Sequence, residues 1–323
     1  GMTRRRRLLL VALALALLVA IAAGAFAEYQ GSRRGLRARA GTLVAADAQP
    51  AGADAVSTYT EITLRGSGGR VALGRARVPR AGAAPYPAAL LMGGINRGRR
   101  VVNAPGLETI ARFAVVLSLD YPMKQRRSAW EGRQFMATIT QLRGVGFDTV
   151  ADILLALDYL ESRPDVDRRR IFLLGSSLGA PAVTIAGAVD ARPAAVVSLY
   201  GGGRLGSLVA HTLGHPDQRR PYPRWQALIL GHALAWFLTP LEPLRYVGDI
   251  APRPFLMVNG ADDSLIPRAN VRALFEAAGE PKDLLWMGGE HVQPDESALI
   301  AAVAGRIVEW LAQRGLLPYD RSL

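Results

Sequence analysis

The sequence predicts an α/β fold built on a doubly wound, mostly parallel sheet. Three observations carry this. Short apolar runs, several apolar on both faces, alternate with segments of helical periodicity, and most of the runs close on glycine. Strands buried on both faces belong to parallel sheets covered by helices, and a repeated strand, turn, helix order builds a doubly wound sheet. The chain is also large enough: 323 residues, half of them hydrophobic, fill one substantial core without a disulfide or a structural metal.

The elements follow in order. Arg4 to Arg7 precede twenty uncharged residues, Leu8 to Ala27, "LLLVALALALLVAIAAGAFA". At 1.5 Å per residue this run crosses a bilayer core of about 30 Å, and its basic flank is expected to stay cytoplasmic while the body is exported. Ala25-Phe26-Ala27 suits cleavage of a signal peptide, whereas the length of the run suits a retained anchor. Residues 1–27 are therefore a signal peptide or a transmembrane anchor. The two outcomes place the body on the outer membrane face, or secreted or periplasmic after cleavage near Ala27. Residues 28–56, rich in Ala, Gly and Arg with weak periodicity, read as a linker. The remaining 57–323 are expected to form one folded α/β domain with an insertion.

That domain opens with "TYTEITLRGSGGRVALGRARVP", Thr58 to Pro79, which alternates around a Gly-Ser-Gly-Gly turn as a β-hairpin does. Six strands are then predicted: 88–94, 113–122, 170–176, 194–202, 254–260 and 283–289. Helices are predicted over Phe147 to Arg163 and over "DESALIAAVAGRIVEWLAQRG" near the end, each with apolar residues three and four apart. The interval 204–253 breaks the rhythm. It holds the apolar helix Trp225 to Leu238, stopped by Pro240, and reads as a small helical lid over a site at the strand ends, or alternatively as a helix that dips into the bilayer, His232 and its short length arguing against a full crossing.

Composition narrows the chemistry. There is no cysteine, which excludes disulfides, thiolate metal sites and a cysteine nucleophile. The net charge of +12 does not point to nucleic acid: residues 1–40 carry +7 of it, and the rest is scattered without a binding motif. Four histidines are present. His211 and His215 stand four apart, but Gly214 and the lack of an acid between them argue against a zinc helix, and His232 reads as a packed or lid residue. No metal and no cofactor are expected.

Gly175-Ser176-Ser177-Leu178-Gly179 fits G-x-S-x-G at the end of a predicted strand. Such a turn holds its central residue at strained backbone angles and lifts the hydroxyl clear of the sheet, so Ser177 is the candidate nucleophile and Ser176 is not. Pro181 falls in the first turn of the helix that follows, where its missing N–H costs little. A serine hydroxyl needs a base, itself oriented by an acid. His291, in "WMGGEHVQP" after the last strand, is the candidate base. The acid is expected after the preceding strand, where "NGADDSLIP" offers Asp262 and Asp263. Serine, acid, histidine is the chain order such sheets use.

With these residues in place, the chain resembles the α/β-hydrolases, in particular their dienelactone-hydrolase-like and prolyl-oligopeptidase-like branch, over about residues 58–315. The resemblance rests on "LDYLESRPDVDRRRIFLLGSSLG", "NGADDSLIP" and "GGEHVQP". It implies Asp263 as the acid, three residues after Gly260 and four before Pro267, with His291 as base and Ser177 as nucleophile. It implies an oxyanion hole from the N–H of Leu178 and that of Gly94, with Ile95 the alternative to Gly94, in the loop of "AALLMGGINRG". Met92 stands where the family usually has histidine. Dienelactone hydrolases proper use cysteine, which is absent, and there is no room for the propeller of full prolyl oligopeptidases. The expected activity is hydrolysis of a small carboxylic ester, with a hydrophobic acyl or alcohol part suggested by the apolar lid. Peptidase, amidase or acyltransferase activity and a non-catalytic membrane-associated binding protein are the alternatives.

Overall fold

The computed structural model describes residues 4–94, 98–123, 133–216, 221–293 and 295–318. Two helices lead: α1 (Arg4–Gly31) and α2 (Arg33–Ala40). Ser32 separates them and caps α2, its Oγ accepting the Gly35 N–H at 3.0 Å. The strands β1 (Leu43–Ala53), β2 (Ser57–Gly66) and β3 (Val71–Pro79) then run antiparallel to one another. β2 and β3 are the hairpin read from the alternating pattern, turning at residues 67–69.

The linker expected over 28–56 is not one. Its residues end α1, form α2 and supply the edge strand β1, which pairs with β2 from Leu43↔Gly66 to Ala53↔Thr58. The physical reason is that β1 is held by backbone pairing, with nearly all its side chains outside the core, so it carries no hydrophobic alternation to read. α2 docks through the fully buried Leu36 and Ala40 and through two arginines, Arg37 on Asp158 at 2.6 Å and Arg39 on Asp148 at 2.8 Å.

From β4 (Tyr86–Met92) the chain alternates: α3 (Glu108–Ala111), β5 (Val115–Leu119), α4 (Arg133–Ser162), β6 (Val166–Ser176), α5 (Gly179–Val189), β7 (Ala195–Leu199), α6 (Leu205–Gly214), α7 (Arg224–Leu238), β8 (Phe255–Gly260), α8 (Arg268–Ala277), β9 (Lys282–Met287) and α9 (Ser297–Ala312). All six predicted strands are present. The helix expected from Phe147 extends back to Arg133.

One nine-stranded sheet results, in the order β1-β2-β3-β5-β4-β6-β7-β8-β9, parallel from β5 to β9. α2, α4, α5 and α8 cover one face and α3 and α9 the other, so β4, β5, β7 and β8 are buried along nearly their whole length. The carboxyl ends of β6, β8 and β9 consequently open at one edge, and the site lies there.

Candidate active site

The turn from β6 to α5 brings backbone groups closer than any side chain allows. A Cβ on Gly175 would lie 2.4 Å from the Gly179 carbonyl oxygen and 2.4 Å from Val183. Ser177, between them, has φ of 53°, in the left-handed region that side-chain-bearing residues rarely occupy. Its N–H is held by the Leu199 carbonyl at 2.8 Å.

His291 and Asp263 reach this serine from two loops bound to each other. Beyond β8, Ala261 N–H donates to Met287 O at 2.7 Å and Asp262 N–H to Gly289 O at 3.0 Å, while the Glu290 carboxylate accepts the Ser264 N–H at 2.9 Å. Asp263 points inward, its side chain buried, and Asp262 is exposed. One Asp263 oxygen accepts the N–H groups of Leu265 and Ile266 at 2.8 and 2.9 Å, and the other lies 2.8 Å from His291 Nδ1. His291 Nε2 is 3.0 Å from Ser177 Oγ. Because a carboxylate only accepts, Nδ1 carries the proton in neutral His291, leaving Nε2 to accept from the serine hydroxyl. Ser177, His291 and Asp263, separated in sequence, thus form one hydrogen-bonded chain.

The cavity at this chain has a volume of about 450 Å³. Beyond Ser176, Ser177 and His291 it runs inward between the sheet and the α3 and α9 layer, walled by Leu107, Ile110, Val303 and Ile307. Leu265 and Gln293 also line it. Among the described residues, none of 204–253 does, so the described part of the expected lid does not line this cavity. α6 and α7 instead pair as a helical hairpin beside it, α6 touching the Asp263 loop through His211 Nε2, 2.7 Å from Ser264 O. The His211 ring meets His215 edge-on at 5.6 Å, and His232 is exposed on α7.

Solved structures with the same architecture were found. An acetyl xylan esterase from Paenibacillus sp. R4 superposes with a TM-score of 0.64 at 16% identity, over 85% of this chain and 92% of that one. The chain has the α/β-hydrolase fold. A cold-adapted esterase from an Arctic intertidal metagenomic library, in a PEG-bound complex, gives 0.58 at 17% identity over 84% of this chain and 99% of that one. Acetyl xylan esterase 1 from Thermoanaerobacterium sp. JW/SL YS485 gives 0.54 at 15% identity, covering 80% and 86%. No protein-family model and no curated protein sequence matches the chain.

On this hydrolase fold the two oxyanion candidates stand differently. Leu178 directly precedes α5, in helical conformation, at the positive end of the helix. Gly94 follows β4 beside the nucleophile: a Cβ built on it would be 4.0 Å from Ser177 Cβ. Ile95 lies outside the described residues. Two tyrosines that sequence reasoning did not single out belong to the site. Tyr121, just past β5, donates its hydroxyl to the Gly93 carbonyl, and burial raises its pKa well above the usual phenol value. Tyr200, at the end of β7 with φ of 49°, sets its ring edge-on to His291 at 5.3 Å. Burial, then the Asp263 charge, pushes the Tyr200 phenol up to about 12, so it stays protonated beside the histidine. Their signal in the sequence is slight: each closes a strand, in "LSLDYP" and "VSLYGG", at the carboxyl edge where sites of open α/β sheets form.

Proposed function

We propose that the chain is a serine hydrolase that cleaves a carboxylic ester with an apolar acyl group, by way of an acyl-enzyme. The observation that carries this reading is the hydrogen-bonded chain of Ser177, His291 and Asp263, at 3.0 and 2.8 Å, opening into an apolar cavity. Esterases among the solved structures of the same fold support it.

Ser177 Oγ attacks the ester carbonyl carbon while its proton passes to His291 Nε2. Asp263 holds the imidazole by Nδ1 and stabilises the imidazolium. The N–H groups of Leu178 and Gly94 receive the negative oxygen, each donor contributing on the order of 10²- to 10³-fold in rate. As the tetrahedral intermediate collapses, the C–O bond breaks and the alcohol leaves with the proton from Nε2. Water, deprotonated by the same nitrogen, then attacks the acyl-serine, and collapse returns the proton to Ser177 and frees the carboxylic acid. The acyl chain occupies the cavity toward α3 and α9. The apolar helix over residues 8–27 supports export of this chemistry, retained at the membrane or released after cleavage.

Labelling with a fluorophosphonate and turnover of acetyl to longer acyl esters test the reading. Ser177→Ala is expected to lose the label and at least about 10⁴-fold in kcat/KM. Ser176→Ala, altered beside the nucleophile, is expected to keep the label. Labelling of Ser177→Ala at the wild-type rate places the nucleophile elsewhere, and wild-type turnover confined to peptides overturns the ester assignment.

A further inference from the structure

α7 carries an unusual outer face. Its inner side, Ala227, Gly231 and Leu234, is buried, and Gly231 lets α6 approach closely: a Cβ there would meet Ala210 Cβ at 2.6 Å. The opposite side, which ordinarily faces water with charged groups, presents Trp225, Leu228, Ile229 and Trp236, which are 63, 43, 62 and 81% exposed. Their spacing of three, one and seven residues sets them on one helical face, with Ala233 and the imidazole of His232 exposed among them. No charged residue occurs from Trp225 to Leu238, and Arg224 stands at the near end. A mostly apolar surface with two exposed tryptophans and a single polar ring, His232, marks a place where something binds.

The occupant is indicated by what touches the far end of α7. Pro240, two residues past its end, packs on Gly31, the last residue of α1: a Cβ on Gly31 would lie 3.0 Å from Pro240 Cβ. The Tyr246 hydroxyl stands 2.7 Å from Gly31 O and 2.5 Å from Pro240 O. Arg245 grips the Glu28 carboxylate with both terminal nitrogens, at 2.6 and 3.1 Å. The end of the apolar leader is thus bound to the end of α7, and Trp236 is about 6 Å along the helix from that junction. α1 is long and apolar enough to cross a bilayer, with its apolar stretch wholly uncovered by the rest of the chain. Residues 224–250 pass the same length and composition test but are 39% buried, and the helix stops at Leu238 ahead of Pro240 and Pro243, so they are not a second uninterrupted span.

We propose that α7 lies along the bilayer surface beside α1, with its Trp225, Leu228, Ile229 and Trp236 face seated in the lipid interface. Tryptophans suit that boundary, having an apolar ring and an N–H that stays hydrated, and an interfacial helix sinks its apolar face about 5–10 Å. The partner is the lipid surface itself. The hydrolase domain is then held at two points, the anchor and α7, and cannot swing freely about Ser32. This rests on α1 being retained as an anchor.

The absence of cysteine makes the test direct. A single cysteine is introduced in the full-length chain at Leu15, Ile229, Trp236 or Arg306, and labelled with an environment-sensitive fluorophore. Each protein is reconstituted into vesicles of phosphatidylethanolamine and phosphatidylglycerol. Arg306, exposed on α9 across the sheet, is the aqueous reference. The expected result is blue-shifted emission at Ile229→Cys and Trp236→Cys, with several-fold stronger quenching by shallow doxyl lipid and several-fold weaker quenching by iodide than at Arg306→Cys. Iodide access equal to that of the reference overturns the proposal, as does dipolar coupling between spin labels at position 229 of two copies, which would make the face a self-association surface. Leu15→Cys separates the premises: quenching there by deep doxyl lipid with none at 229 removes the α7 contact and leaves the anchor. An iodide-quenched Leu15→Cys removes both, whereas the hydrolase reading is decided separately by the Ser177 labelling.

Discussion

Tyr121 acts on the proposed oxyanion donor through a peptide plane. The carbonyl of Gly93 and the N–H of Gly94 belong to one planar trans unit, so fixing the oxygen toward the Tyr121 hydroxyl fixes the N–H in the opposite direction. Removing that hydroxyl leaves Gly94 free to rock without touching substrate or nucleophile. Tyr121→Phe is therefore expected to lower kcat by roughly 10- to 100-fold, less than the loss of a whole oxyanion donor, with KM near the wild-type value. Fluorophosphonate labelling of Ser177 should persist, and an unchanged kcat in steady-state assays would separate Tyr121 from the donor. Asp263→Asn makes a contrasting test at the same scale. The amide presents N–H toward Nδ1, favours the wrong tautomer of His291, and is expected to cost about 10⁴-fold in kcat with the fold intact by circular dichroism.

The elements differ in how openly they declare themselves. β4 through β8 are legible because both faces are buried, which leaves runs such as "AALLM" and "FLMV" that no exposed loop sustains. β1 is illegible for the converse reason, and α2 because its docking depends on partners far along the chain. Arg70, from the β2–β3 turn, pairs with Asp152 at 2.9 Å and Asp148 at 2.8 Å on α4, and Arg39 of α2 shares Asp148. Three elements meet at this cluster. Burial outweighs the Arg70 pairing at Asp152 and pushes its carboxyl up to about 6, above the 3.8 of the unfolded chain. Between those values the folded state binds the proton more tightly, so this group's contribution to stability falls as pH rises from about 4 to 6. Relative to Asp152→Asn, the wild type should lose roughly 2–3 kcal/mol across that window, read from urea midpoints at each pH. Arg70→Met leaves both carboxylates without their shared partner. It should destabilise by roughly 3–5 kcal/mol at pH 7 and by less at pH 4, where Asp152 takes up a proton.

At the scale of the whole molecule, the candidates Ser177 and His291 were legible because each follows a strand with its own turn chemistry, and local turn chemistry is written in short motifs, whereas Asp263 was separated from Asp262 only by the family resemblance. The cavity was not, because no short segment contains it. Its inner wall arises where α3 and α9, from opposite ends of the α/β domain, meet over the sheet. Gly106 permits the meeting: with φ of 90°, it lies so near α9 that a Cβ would stand 2.6 Å from the Ala301 nitrogen. The apolar interval 204–253 suggested a hydrophobic roof, whereas the apolar wall came from Leu107, Ile110, Val303 and Ile307, residues that read in sequence as ordinary core. These side chains are nearly inaccessible from outside, so bulk added there must fill the cavity or push the helices apart. Val303→Phe should therefore shorten the acyl group that fits while leaving Ser177 and His291 untouched. The measurement is kcat/KM across acetyl, butanoyl, hexanoyl and octanoyl esters of one alcohol. The wild type should gain on lengthening the chain, by up to about 0.8 kcal/mol per methylene taken from water, until the cavity is full. Val303→Phe should keep the acetyl rate within a few-fold and lose the gain at the longer esters. If both proteins share one chain-length profile, the acyl group lies elsewhere, and the cavity between α3 and α9 is not its binding site.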